Sequence, residues 1–100
     1  MTFRLPNKGY NLNYLVREMG YRPIGFSERG EMNCVRPLGA DYPRFHLYLK
    51  EEPEALIFNL HLDQKKPSYG GGAHAHSGDY DSDIIKEEAE RIQEIVPRSR

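Results

Sequence analysis

The sequence predicts an α+β fold: a single domain with four mainly antiparallel strands and two helices on one face, in the order α-β-β-β-β-α. Three observations predict it. Apolar and polar residues alternate with period two through 44–50 and again through 56–63, the pattern of a paired hairpin with one face on a core. Apolar stripes at helical spacing stand on either side of the strands, at 12–19 and 85–96. The 100 residues contain neither an internal repeat nor a Pro/Gly/Ser linker between hydrophobic halves, which fits one core. The ordered core is expected over about 10–96, with 1–9 and 97–100 as frayed ends.

Each element has a local reason. Asn11 is a suitable N-cap for a short helix in which Leu12, Leu15, Val16 and Met19 recur at helical spacing. Gly20 suits its C-terminal end, and Pro23 prevents the helix from resuming. Ile24 to Glu28 and Met32 to Arg36 form a hairpin through the turn Arg29-Gly30-Glu31. Residues 37–43 read as an irregular connection. In the central hairpin Phe45, Leu47 and Leu49 alternate with Arg44, His46, Tyr48 and Lys50, and Leu56, Phe58, Leu60 and Leu62 alternate with Ile57, Asn59, His61 and Asp63. The loop Glu52-Pro53-Glu54-Ala55 pairs Glu51 with Leu56. Phe45 then faces Leu62, Leu47 faces Leu60 and Leu49 faces Phe58. On the other face Arg44 meets Asp63, His46 meets His61 and Tyr48 meets Asn59. A one-residue slip destroys both sets of pairs, whereas a two-residue slip preserves the faces and stays open. The last helix runs from Ser82 or Asp83 to Val96, with Ile85, Ala89, Ile92 and Val96 on one stripe. Asp81, Ser82 and Asp83 offer caps, Glu87 and Glu88 suit the early turns, and Glu87 with Arg91 makes a favourable i,i+4 pair before Pro97 stops the helix.

Composition excludes several classes. The longest purely apolar run, Ala55-Leu56-Ile57-Phe58, has four residues, against the about 20 that a spanning helix needs. The start, Met-Thr-Phe-Arg-Leu-Pro, has no apolar signal core. The single Cys34 excludes an internal disulfide framework and a cysteine zinc knuckle, and reads as a small buried hydrophobe. A cytoplasmic location is therefore expected, with no membrane partner. Residues 1–50 carry a formal charge of +4 and residues 51–100 carry −5, for a net −1. That balance disfavours nucleic acid, whose binding domains are strongly basic, although a local patch is compatible with it.

The chemistry-bearing residues gather late in the chain. All four histidines fall between 46 and 76, and the segment 65–82 is rich in Gly, His, Ser and Asp. A loop of that length between a strand and a helix is often functional. His46 and His61 are expected cross-strand neighbours, with Cβ atoms about 4.5 to 5.5 Å apart. His74 and His76 form a His-Ala-His segment whose rings share one side when extended, and Gly70-Gly71-Gly72 would let the loop fold back over the strands. Imidazole and carboxylate donors suit zinc. The expected set is His61, His74 and His76, with His46, Asp63 or Asp79 as the fourth ligand or as a group orienting a ligating ring. With an open position such a site would activate water, as a metal-dependent hydrolase does.

Other motifs are incomplete. No His-Glu-x-x-His is present, and no Gly-Lys-Ser/Thr follows the glycines to make a phosphate loop. Two close histidines with Lys65, Lys66 and Arg44 would suit phosphodiester cleavage. The two-histidine phosphoesterases, however, carry Ser or Thr two residues after each His, where this chain has Tyr48 and Asp63. The alternative to a metal site is a non-catalytic protein- or nucleic-acid-binding module, with Tyr and Arg on the open sheet face as stacking platforms, or a homodimer through that face. The chain has seven tyrosines to supply it.

The strings Leu60-His61-Leu62-Asp63-Gln64-Lys65-Lys66-Pro67-Ser68-Tyr69 and Ala75-His76-Ser77-Gly78-Asp79-Tyr80 resemble a small prokaryotic family of unknown function. The resemblance covers about residues 44 to 95. It implies a prokaryotic source and assigns no activity to any residue.

Overall fold

The computed structural model describes residues 1–64, the backbone of 78–79, and residues 82–99. Its frame is an antiparallel sheet built from β1 (Thr2–Pro6), β2 (Arg22–Phe26), β3 (Met32–Pro37), β4 (Arg44–Glu51), β5 (Ala55–Asp63) and the two-residue β6 (Gly78–Asp79). The strand order is β1-β5-β4-β3-β2, and β6 also pairs with β5. The outer edge of β5 is thus shared: β1 lies along Ala55 to Asn59, and β6 along Leu62 and Asp63.

The four-strand expectation is corrected at the N-terminus. Residues 2–6 are not frayed but form an edge strand, because Phe3 and Leu5 alternate with Thr2 and Arg4 and set Phe3 opposite Phe58 and Leu5 opposite Leu56. The Phe3 and Phe58 rings stack with centroids 4.8 Å apart. The element order therefore begins with a strand and continues α1 (Leu12–Glu18), β2 to β6, α2 (Asp83–Ile95) and a short 3-10 turn at Val96–Arg98. The short β6 falls inside the segment 65–82 that the sequence marks as a loop.

The central hairpin has the expected register from Arg44 opposite Asp63 to Glu51 opposite Leu56. The first hairpin is shifted at its outer strand, which starts at Arg22 rather than Ile24 and bulges between Pro23 and Gly25. An extra residue on an edge strand twists it and interrupts the ladder. Asn11 caps α1 by accepting from the Tyr14 amide at 3.0 Å. Gly20 follows the helix at φ +88, and a Cβ there would meet Arg36 Cδ at 3.2 Å, so glycine serves both the turn and the passing arginine.

Both helices cover the same face. Leu15, Val16 and Met19 of α1 and its end join Ile85, Ala89 and Ile92 of α2 in one buried cluster with Cys34, Phe45, Leu47, Leu49, Leu56, Phe58, Leu60 and Leu62. Cys34 Sγ lies 3.6 Å from the Leu47 carbonyl, and burial pushes its thiol up to about 12, so it is an inert core residue.

One polar group belongs to this buried side. Glu88 is 3% exposed. Its carboxylate accepts from Arg36 Nε and Nη2 at 3.1 and 2.8 Å, from Arg91 Nε and Nη2 at 2.8 and 2.9 Å, and from the Tyr21 hydroxyl at 2.6 Å. The expected i,i+4 pair of Arg91 with Glu87 is thereby replaced by an i,i+3 pair with Glu88, which faces the core where a charge needs partners. Among the described residues no helix is long and apolar enough to cross a membrane.

Candidate metal centre

The face of the sheet opposite the helices is where the second set of alternating residues emerges. The pairs Arg44 with Asp63, His46 with His61, and Tyr48 with Asn59 project there from β4 and β5. β3 extends the rows, setting Asn33 beside Tyr48 and Val35 beside His46. β2 then places Arg22 beside Val35.

Asp63 is the centre of this group. Arg44 Nε donates to Asp63 Oδ2 at 3.2 Å. His46 Nδ1 lies 3.1 Å from the same oxygen, and His61 Nε2 lies 3.2 Å from Oδ1. The ring centroids of His46 and His61 are 4.6 Å apart, and the Tyr48 ring stands 4.8 Å from His46 and 6.0 Å from His61. The side chains are well sheltered: His46 and His61 are each 12% exposed and Asp63 18%. The other nitrogen of His46, Nε2, contacts Asn33 Oδ1.

Electrostatics fix the protonation of the imidazoles. Burial lowers both His46 and His61 below the ordinary value of 6.5, and the attraction of Asp63 for an imidazolium only partly offsets it. Both rings are thus neutral near pH 7. Donor atoms of His46, His61 and Asp63 all lie within 4.8 Å of one another. Tetrahedral zinc, with bonds of about 2.0 to 2.1 Å, sets neighbouring donor atoms about 3.3 Å apart. The Asp63-to-imidazole separations of 3.1 and 3.2 Å, one to each carboxylate oxygen, are close to that spacing.

Of the residues expected to form the site, the structure brings together His46, His61 and Asp63. His74 and His76 lie outside the described residues, and Asp79 is described as backbone only, opposite Leu62. His46 and Asp63, expected only as alternative fourth ligands, are members of the cluster itself. Asn33 and Arg22 were not foreseen on this face. Period two in β3 puts Asn33 on the same side as Val35, but the irregular 37–43 connection hides the register of β3 on β4, which decides that Asn33 lies next to His46's strand. Of the tyrosines offered as a platform, Tyr48 lies among the histidines, whereas Tyr21 is buried against Glu88 on the other face.

Comparison with protein families, with curated proteins and with solved structures finds no match. The chemistry of the cluster therefore carries the functional argument.

Proposed function

We propose that the sheet face opposite the helices binds one divalent metal ion through His46, His61 and Asp63. The observation that carries this is the convergence of donor atoms: ligating atoms of His46, His61 and Asp63 all lie within 4.8 Å of one another, with an Asp63 oxygen 3.1 Å from His46 Nδ1 and the other 3.2 Å from His61 Nε2. A metal-ligating histidine typically engages an oxygen through its other ring nitrogen, and Asn33 Oδ1, in contact with His46 Nε2, is placed for that part.

Two imidazoles and one carboxylate favour zinc, and three protein ligands leave a coordination position for water. A water held there is acidified toward neutral pH, so hydrolysis is the reaction class that the donor set suits. The same donors suit ferrous iron, which makes iron the competing ion.

The test is a zinc titration of metal-stripped protein that follows the imidazole NMR signals. His46 and His61 are expected to shift together, to saturate at one equivalent with submicromolar affinity, and to raise the melting temperature as a ligand specific to the folded state does. Rings that titrate independently with an unchanged melting temperature, for zinc and for ferrous iron under argon, would refute the proposal.

A further inference from the structure

We infer that the cleft beside this cluster is the seat of a phosphate group, with Arg22 and Arg44 as its two cationic arms. The inference deepens the metal-site reading and rests on it for the local positive charge. The cleft, of about 330 Å³, is lined by Arg22, Pro37, Asp41, Tyr42 and Arg44. Arg44 belongs to both places. Its Nε is committed to Asp63, and its guanidinium carbon lies 4.6 Å from the Tyr42 ring centroid. One edge of the fork is held by a carboxylate and its plane is held by an aromatic ring. Its two terminal nitrogens make no hydrogen bond among the described residues, and the side chain lines the cleft.

Arg22, at the start of β2, lines the same cleft. It stands in one row with Val35, His46 and His61 across β2, β3, β4 and β5. It is exposed and forms no ion pair among the described residues. Two guanidinium forks converging on one cleft suit a tetrahedral oxyanion, because each fork takes two oxygens. A carboxylate would be satisfied by one of them. The charge count explains why the metal matters. Arg22 and Arg44 are offset by Asp41 and Asp63, so the metal-free cleft is formally neutral. A divalent ion at the cluster adds two positive charges beside the cleft and turns it into an anion site.

The experiment titrates inorganic phosphate, then phenyl phosphate, then acetate into metal-free and zinc-loaded protein, reading the backbone amide signals of Arg22, Tyr42 and Arg44. Both phosphates are expected to shift these amides saturably, and zinc loading should tighten them at least tenfold. Arg22→Gln should weaken phosphate about tenfold, and Arg22→Lys should restore part of the loss, as befits a charge without a fork. Tighter phenyl phosphate than inorganic phosphate identifies an ester as the ligand, and the reverse order identifies the free ion. Normal zinc binding with no phosphate shift, with no gain on zinc loading, with acetate binding as well as phosphate, or with no loss in Arg22→Gln would each overturn the inference and leave the metal site standing. Failure of zinc to bind, with Arg22-dependent phosphate binding intact, would remove the metal reading and leave the cleft.

Discussion

Two carboxylates occupy the two faces of one sheet, and the difference lies in what donates to them. Glu88, on the helix-covered face, accepts from two guanidiniums and a phenol. Those donors keep their protons at any physiological pH, so the cluster has one state and acts as a brace between α2, β3 and the end of α1. Asp63, on the opposite face, meets one guanidinium and two imidazoles among the described residues. An imidazole nitrogen can exchange its proton for a metal, so this cluster has more than one state. A saturated set of fixed donors reads as structure. A set with exchangeable donors on a face that neither described helix covers reads as chemistry.

That contrast can be broken in order of size. Phe45 is 2% exposed and its ring lies 5.1 Å beneath the Arg36 guanidinium, so it supports both the core and the brace. Phe45→Ala should cost about 3 to 5 kcal/mol in urea unfolding, and a loss below about 1 would show that the covered face is not packed as described. Glu88→Gln should cost about 2 to 3 kcal/mol, since it weakens charge-assisted bonds to Arg36 and Arg91.

The Glu88 variant should also change the acid limb. Burial pushes the Glu88 carboxyl up, but hydrogen bonds from Arg91, Arg36 and Tyr21 together hold it below its ordinary value. Its folded-state value is thus lower than its unfolded one. The stability it contributes is fully present above the unfolded carboxylate range and is lost as pH falls through the folded value. Stability measured from pH 6 down to 3 should therefore fall more steeply in the wild type than in Glu88→Gln, and parallel curves would contradict the brace.

Asp63→Asn should separate the two clusters. Its surroundings are partly solvated, so stability should change by about 1 kcal/mol or less. Zinc affinity should drop by about 100-fold or more, because the proposed site loses a ligand rather than a support. Equal and large stability losses for Asp63→Asn and Glu88→Gln would erase the distinction between brace and site. The smallest effect concerns pH and zinc. His46 and His61 lie below 6.5, so protons compete for them only in acid. Lowering pH from 7.5 to 6 should weaken zinc by only about a few-fold, with a steeper loss below, as isothermal titration would show.

These contrasts were unequally legible in the sequence. The open-face pairs were legible because period two and a short hairpin loop leave little freedom: once Glu51 faces Leu56, His46 must face His61 and Arg44 must face Asp63. Glu88 was present in the pattern without being recognised. It stands three residues after Ile85 and one before Ala89, on the buried stripe, yet a charged residue in an early helical turn reads as solvated. Its partners Arg36 and Tyr21 are remote in sequence, so only tertiary packing reveals why it can be buried. The edge strand β1 was hidden by its length and by Pro6, and its pairing depends on β5, which lies about fifty residues later. Arg22 was hidden by the bulge that shifts its strand.

The strand β5 presents Leu56, Phe58, Leu60 and Leu62 to the core and His61 and Asp63 to the opposite side. Stability and chemistry are thereby written on interleaved positions of one nine-residue segment. Each can drift by substitution without disturbing the other. Its length has no such freedom. One residue inserted after Asn59 would turn His61 and Asp63 inward and Leu60 and Leu62 outward, disrupting the core and the His/Asp cluster in a single step. Over generations the strand is free to change its letters but not its count.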